Sequence, residues 1–264
     1  MDLGLTDARA LVVGGSRGMG LATVRSLSAE GCRVAIIGRG QADVDAAAQL
    51  ATEAGSPAVL PLVADATSTS AITEAIEAVS REWAALNILI FAVGPAGAGR
   101  IEELDDERWS VALDTGALSA VRVVRAALPL LRAADWARIV TITAMSIQHQ
   151  SPYLVSYTAA KSALLSLTKN LARSLAPDGI LVNAVAPGPI LSDWVSSALS
   201  GSSVDATDPA AAFAALKDSH GVSADLGRMG LADEVAAVVT FCASRRNGFM
   251  TGAHLNVDGG SDFV

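Results

Sequence analysis

The sequence predicts an α/β fold: a doubly wound, seven-stranded parallel sheet with helices on both faces, in a single domain. Seven short, near-continuous apolar runs, helical patterns between them and the lack of any dividing linker across 264 residues point to it. Parallel strands covered on both faces read as unbroken apolar runs. Alternation of strand and helix implies right-handed crossovers into one open sheet.

In order, the expected strands lie at 11–13, 34–37, 58–63, 88–93, 138–143, 180–185 and 254–257. After the first, Leu21, Val24 and Leu27 fall on one helical face. Before the last, Val235, Val238, Val239 and Cys242 stand at i, i+3, i+4 and i+7, one stripe of a helix. Segment 190–227, rich in Ser, Ala, Gly and Asp, breaks the rhythm. Long connections in compact domains are often functional, so this one is expected to be a substrate loop or lid, with Trp194 and Phe213 lining an apolar pocket.

Composition narrows the function. Hydrophobic residues make up 51% and charged ones 17%, which excludes intrinsic disorder. The net charge of −8 comes with no Lys/Arg-rich run, so no nucleic-acid partner is expected. No uncharged apolar stretch reaches the roughly 20 residues that span a bilayer, and Met1 to Thr6 lack signal-peptide features. No membrane association and a cytoplasmic location are therefore expected. Cys32 and Cys242 read as buried, inert thiols. His149, His220 and His254 have no ligand spacing, so no metal is expected.

The first strand runs into Gly14-Gly15-Ser16-Arg17-Gly18-Met19-Gly20 and then a helix. Glycines at this G-x-x-x-G-x-G spacing allow a tight turn and close approach of backbone to a pyrophosphate. The helix N-terminus behind them offers free N–H groups and a positive dipole end. At the tip of the second strand, where a carboxylate would meet a ribose 2′-OH, stand Gly38 and Arg39. With Arg17 in the glycine loop, two guanidiniums suit a 2′-phosphate, so NADP(H) is expected over NAD(H). Solvated surface arginines, or neutralisation of Arg39 by Asp43 and Asp45, is the alternative. Asp65, after the third strand, reads either as a partner of the adenine amino group or as a helix cap.

Tyr157 and Lys161 form Tyr-Thr-Ala-Ala-Lys, which places phenol and ammonium on one helical face. A nearby cation is expected to lower the phenol pKa from about 10 and ready it for proton transfer near neutrality.

Together these motifs resemble the short-chain dehydrogenase/reductase family, in its branch of about this length. The resemblance covers almost the whole chain: the glycine loop, Asp65, Tyr157/Lys161, Pro187-Gly188, and the ending Thr251-Gly252 with Val257-Asp258-Gly259-Gly260. It implies a Rossmann-type fold, a nicotinamide cofactor and hydride transfer between a carbonyl and an alcohol. It also implies homodimers or homotetramers built partly from helices in 109–131 and 157–175. By position, Tyr157 would be general acid in reduction and base in oxidation, and Lys161 would bind the nicotinamide ribose. Ala92 and Gly94 would flank the adenosine ribose. Pro187, Gly188, Ile190 and Ser192 would meet the nicotinamide, Ser192 standing where Thr is usual.

Three positions depart from the family pattern. Its substrate-polarising serine aligns with Ala144, its central-helix asparagine with Gly116, and its Asn-Asn-Ala-Gly with Phe91-Ala92-Val93-Gly94. If the fifth strand continued, Ser146 would share the face of Ala144 and could act as a substitute, while Thr143 would point away. His149 and Gln150 follow on the loop as further candidates. Gly116 is expected to leave room for a water that restores the relay to Lys161, and to permit a kink. The leading reading is a reductase of ketones or aldehydes. A nucleotide-binding protein that has lost turnover, and an enone- or enoyl-type double-bond reductase, are the alternatives.

Overall fold

The computed structural model describes residues 1–95 and 99–261. Its elements follow the predicted order: β1 (Arg9–Val13), α1 (Gly18–Ala29), β2 (Arg33–Gly38), α2 (Gln41–Glu53), β3 (Val59–Val63), α3 (Thr69–Trp83), β4 (Ile88–Phe91), α4 (Asp106–Leu113), α5 (Ser119–Arg132), β5 (Ala137–Ile142), α6 (Val155–Leu175), β6 (Ile180–Pro187), α7 (Asp193–Ala198), α8 (Pro209–His220), α9 (Ala232–Ala243) and β7 (His254–Val257). The seven strands form one sheet in the order β3-β2-β1-β4-β5-β6-β7, every pair parallel.

Alternate residues of each strand feed two separate cores. Leu11, Val13, Ile37, Leu89 and Phe91 pack with α3, α5 and α6 through Ile72, Val79, Val123, Ala127 and Leu164. Ala10, Val12, Ile36 and Ile90 pack on the opposite face with α1, α2 and α9 through Val24, Leu27, Ala47, Val235 and Val239. Burial on both faces is what the unbroken apolar runs encode. The edge strand β3 tolerates Pro61 because its outer side has no neighbour to donate to. Cys32 and Cys242 are buried free thiols, their pKa values pushed up to about 12 and 11 by burial.

The segment 190–227 is more ordered than a plain loop. It contains α7, and α8 capped by Asp208, which accepts from the N–H groups of Ala210 and Ala211. With Met229 just beyond it, the segment also builds a small core of its own: Val195, Leu199, Ala212, Phe213, Leu216 and Ala224. Phe213 is buried in that core, whereas Trp194 is half exposed. Parallel bridging between Ile190 and Gly230, with Leu191 N–H donating to the Gly230 carbonyl at 2.9 Å, ties its two ends together. No helix among the described residues is long and apolar enough to cross a membrane.

Candidate active site

The strand order reverses between β1 and β4, and crevices open beyond the carboxyl ends of strands at such a switch point. Gly14 sits there with φ +81°, and a Cβ on it would lie 3.0 Å from the Ala92 carbonyl. A Cβ on Gly20 would lie 2.0 Å from the carbonyl oxygen of Gly14, so only glycine lets α1 start against the β1 turn. Gly18 also has positive φ, at +53°. Ser16 packs into space that a side chain on Gly38 would fill, its Oγ 2.7 Å from that Cβ position. Met19 is half-buried against the core beneath the sheet. The loop is a backbone-lined cradle of the kind that accepts a pyrophosphate.

Arg17 and Arg39 are exposed at the rim of this cradle, and neither joins an ion pair among the described residues. Asp45 accepts instead from Gln41, at 2.8 Å. Asp65 Oδ1 accepts from the backbone N–H and hydroxyl of Thr67 at 2.9 and 2.8 Å. These bonds, with a smaller effect of the Arg39 charge, hold its carboxyl below the usual range. The cap of α3 is Ser68, which accepts from Ala71 N–H, so capping is not the task of Asp65.

The start of α6 supplies the second half of the site. Lys161 is buried, and its Nζ donates to the carbonyls of Ile142 at 2.7 Å and Val93 at 3.4 Å, at the ends of β5 and β4. Half-buried Tyr157 lies one turn nearer the rim, its ring centroid 5.9 Å from that Nζ. Its hydroxyl makes no hydrogen bond to another described residue. The expected lowering of the phenol pKa is not what the structure shows. Burial pushes Tyr157 up to about 12 and Lys161 down to about 7. Desolvation disfavours both charged forms, and at this separation it outweighs the help of the cation.

Around Ala144 and Gly116 the structure differs from expectation. β5 ends at Ile142, and Met145–Ile147 form a 3-10 turn, so the alternation that would bring Ser146 to the face of Ala144 does not extend that far. Ser146 is buried, and its Oγ accepts from Thr158 Oγ1 at 3.2 Å. Thr158 follows Tyr157 by one residue and so lies about 100° around the helix from it. Thr143 points towards β6 and β7, donating to the Val185 carbonyl at 3.1 Å and lying 3.0 Å from His254 Nε2. Ala144 is extended and 6% exposed, and His149 and Gln150 are exposed on the loop beyond.

Gly116 lies in a π-helical segment, Asp114–Leu118, that joins α4 to α5. Such segments are frequent at functional sites. A Cβ on it would lie 2.8 Å from Ala160 Cβ and 3.1 Å from Pro95 Cγ. Pro95 and Ala160 thus leave no room for a side chain at Gly116, and two backbone carbonyls hold Lys161.

On the far side, Pro187 ends β6 and Gly188 packs on Asp258, where a Cβ would lie 2.6 Å from the Asp258 Cα. That contact explains why Pro187-Gly188 and Asp258-Gly259-Gly260 occur together. Ile190 is half-buried and Ser192 exposed at the start of α7. Gly94 is exposed at the crevice, and Ala92 N–H donates to the Val13 carbonyl at 2.9 Å. Sequence reasoning overlooked Pro95, and it overlooked a pair at the rim, Arg100 and Tyr153, of which only the Tyr153 spacing four residues before Tyr157 gave a signal. Among the described residues no cluster of His, Cys, Asp or Glu could hold a metal ion.

Comparison with known proteins agrees with this geometry. The family model described as enoyl-(acyl carrier protein) reductase matches residues 13–262. The 3-oxoacyl-(acyl-carrier-protein) reductase of Escherichia coli is 31% identical over 259 residues, 97% of this chain and 97% of that protein. An NADPH-bound short-chain oxidoreductase of Pseudomonas aeruginosa, described as containing an atypical catalytic centre, superposes with a TM-score of 0.90 at 29% identity, covering 98% and 99% of the two chains. L-sorbose reductase of Gluconobacter frateurii, complexed with NADPH and L-sorbose, gives 0.91 at 25% identity over the full length of both.

Proposed function

Because the chain belongs to the short-chain dehydrogenase/reductase family, we propose that it is an NADP(H)-dependent oxidoreductase that interconverts a carbonyl and an alcohol through Tyr157. The observation that carries this reading is the joint presence of a glycine cradle edged by two guanidiniums outside any ion pair among the described residues and a half-buried Tyr157 one helix turn from the buried Lys161. The NADPH complexes of the Pseudomonas and Gluconobacter relatives support the choice of cofactor.

Gly14, Ser16, Arg17, Gly18, Met19 and Gly20 would hold the pyrophosphate, Arg39 with Arg17 the 2′-phosphate, and Asp65 the adenine. Ala92 and Gly94 would border the adenosine ribose, and Tyr157 and Lys161 the nicotinamide ribose. Pro187, Gly188, Ile190 and Ser192 would border the nicotinamide. When bound, NADPH supplies the hydride. Tyr157, protonated throughout the neutral range because its pKa is raised, donates the proton to the carbonyl oxygen. Lys161, with a pKa near 7, lies within reach of proton exchange at the same pH. Ala144 carries no hydroxyl, so the Tyr157 hydroxyl polarises the carbonyl without a donor from that position, and turnover is slower than with one there.

NADPH consumption with a panel of ketones, aldehydes and enones tests the reading, with NADPH binding followed by fluorescence in the same samples. Ketone or aldehyde turnover that falls by about 10²–10⁴-fold in Tyr157→Phe, with NADPH still bound, is the expected result. Binding without turnover on any carbonyl would favour the catalytically silent alternative. Turnover confined to enones would favour the double-bond reductase.

A further inference from the structure

We propose that Arg100 and Tyr153 form a carboxylate-binding subsite at the mouth of the crevice, so that the substrate is a small oxo acid or hydroxy acid. The inference rests on the oxidoreductase reading above and names its substrate class.

The two loops that leave the ends of β4 and β5 are tied together above the Tyr157/Lys161 pair. Gly99 bridges Leu154, and Gly99 N–H donates to the Tyr153 carbonyl at 2.7 Å. Across this tie the Arg100 guanidinium lies over the Tyr153 ring, 4.6 Å from its centroid, while Nη2 donates to the Tyr153 hydroxyl at 2.8 Å. Tyr153, Tyr157 and Lys161 recur every four residues, with Lys161 at the strand ends and Tyr153 just outside the start of α6. The bridge between Gly99 and Leu154, the residue before α6, therefore sets Arg100 and Tyr153 at the entry to the helix that carries Tyr157.

Stacking and the hydroxyl bond fix the arginine yet use only one of its five N–H groups, and it joins no ion pair among the described residues. The adjacent Glu103 is directed to the backbone, accepting from Arg100 N–H at 2.8 Å. The Tyr153 hydroxyl accepts from Arg100 and keeps its own proton to give. A planar fork beside a hydroxyl donor matches the two oxygens of one carboxylate. Glu102 and Glu103 nearby disfavour a dianion such as a phosphate monoester.

The test compares 4-oxopentanoate with its methyl ester as NADPH-dependent substrates of wild type, Arg100→Gln and Arg100→Lys. Calorimetric binding of 4-oxopentanoate to each protein with NADPH is measured alongside. The expected result is a kcat/KM preference for the acid that falls by about 10- to 100-fold in Arg100→Gln, mostly through KM, and is partly kept in Arg100→Lys. Binding of the acid should weaken in parallel. An acid-over-ester ratio and an acid affinity that Arg100→Gln leaves unaltered would overturn the subsite. Arg100-dependent binding of the acid without any turnover would uphold the subsite and instead count against the oxidoreductase reading.

Discussion

The crevice at β1 and β4 and the pocket at β5 and α6 are built from different materials. The first is made of backbone: Gly14, Gly18 and Gly20 shape it, and a single methyl on Gly20 would meet the Gly14 carbonyl oxygen at 2.0 Å. The second is made of side chains and of segment endings: Ala144 after β5, Gly116 in a π segment, and Tyr157 and Lys161 on α6. Backbone sites admit few substitutions, because a Cβ at Gly14 or Gly20 meets backbone and Gly18 holds a positive φ. Side-chain sites can exchange donors and keep the frame.

Burial in the second region has the largest expected consequence. Lys161 titrates near 7 when folded and near 10.4 when unfolded, so between these values the unfolded chain binds the extra proton. Lys161 should therefore contribute a stability that rises with pH from about 7 towards 10, on the order of a few kcal/mol, opposed above about 9 by the buried Cys32 and Cys242 thiols. Lys161→Met should flatten that rise in urea unfolding measured across the range. An equal slope in both proteins would show that the lysine is solvated and the pocket looser than described.

In the first region, Arg39→Ala should weaken NADPH binding by about 10- to 100-fold, as loss of a charge-assisted contact does, and leave NADH binding within about twofold. Fluorescence titration with both cofactors checks this. Parallel losses for NADH would remove the argument for the 2′-phosphate.

A smaller effect sharpens the contrast. Gly116→Asn should destabilise the protein by about 1–3 kcal/mol through overpacking against Ala160 and Pro95, without raising turnover. Thermal melts and initial rates decide it. A stable, faster enzyme would mean that the π segment can open to take a side chain and a water.

The same contrast explains what the sequence made legible. The seven strands were readable because burial on both faces leaves unbroken apolar runs, and the cradle because glycine spacing mirrors backbone contacts within a few residues. The end of β5 was not readable. It depends on Thr143 reaching Val185 and His254, 42 and 111 residues away, and on a 3-10 turn that removes Ser146 from the expected face. The pKa of Tyr157 was misjudged because pairing with Lys161 is visible in sequence and desolvation is not. Segment 190–227 looked irregular because its small core combines residues from both ends of the segment, such as Val195 and Ala224. Arg100 escaped notice because its partner Tyr153 lies 53 positions away.

The separateness of the two regions is tested most directly by Ala144→Ser, with NADPH affinity and ketone turnover measured on the same preparation. A hydroxyl restored at the extended position beside the pocket should raise kcat by at least about tenfold, within the range that one oxyanion donor contributes, and leave NADPH affinity within about twofold. Unchanged or lower turnover would contradict the account, since another group would then already polarise the carbonyl, and a large shift in NADPH affinity would show that the two regions are coupled.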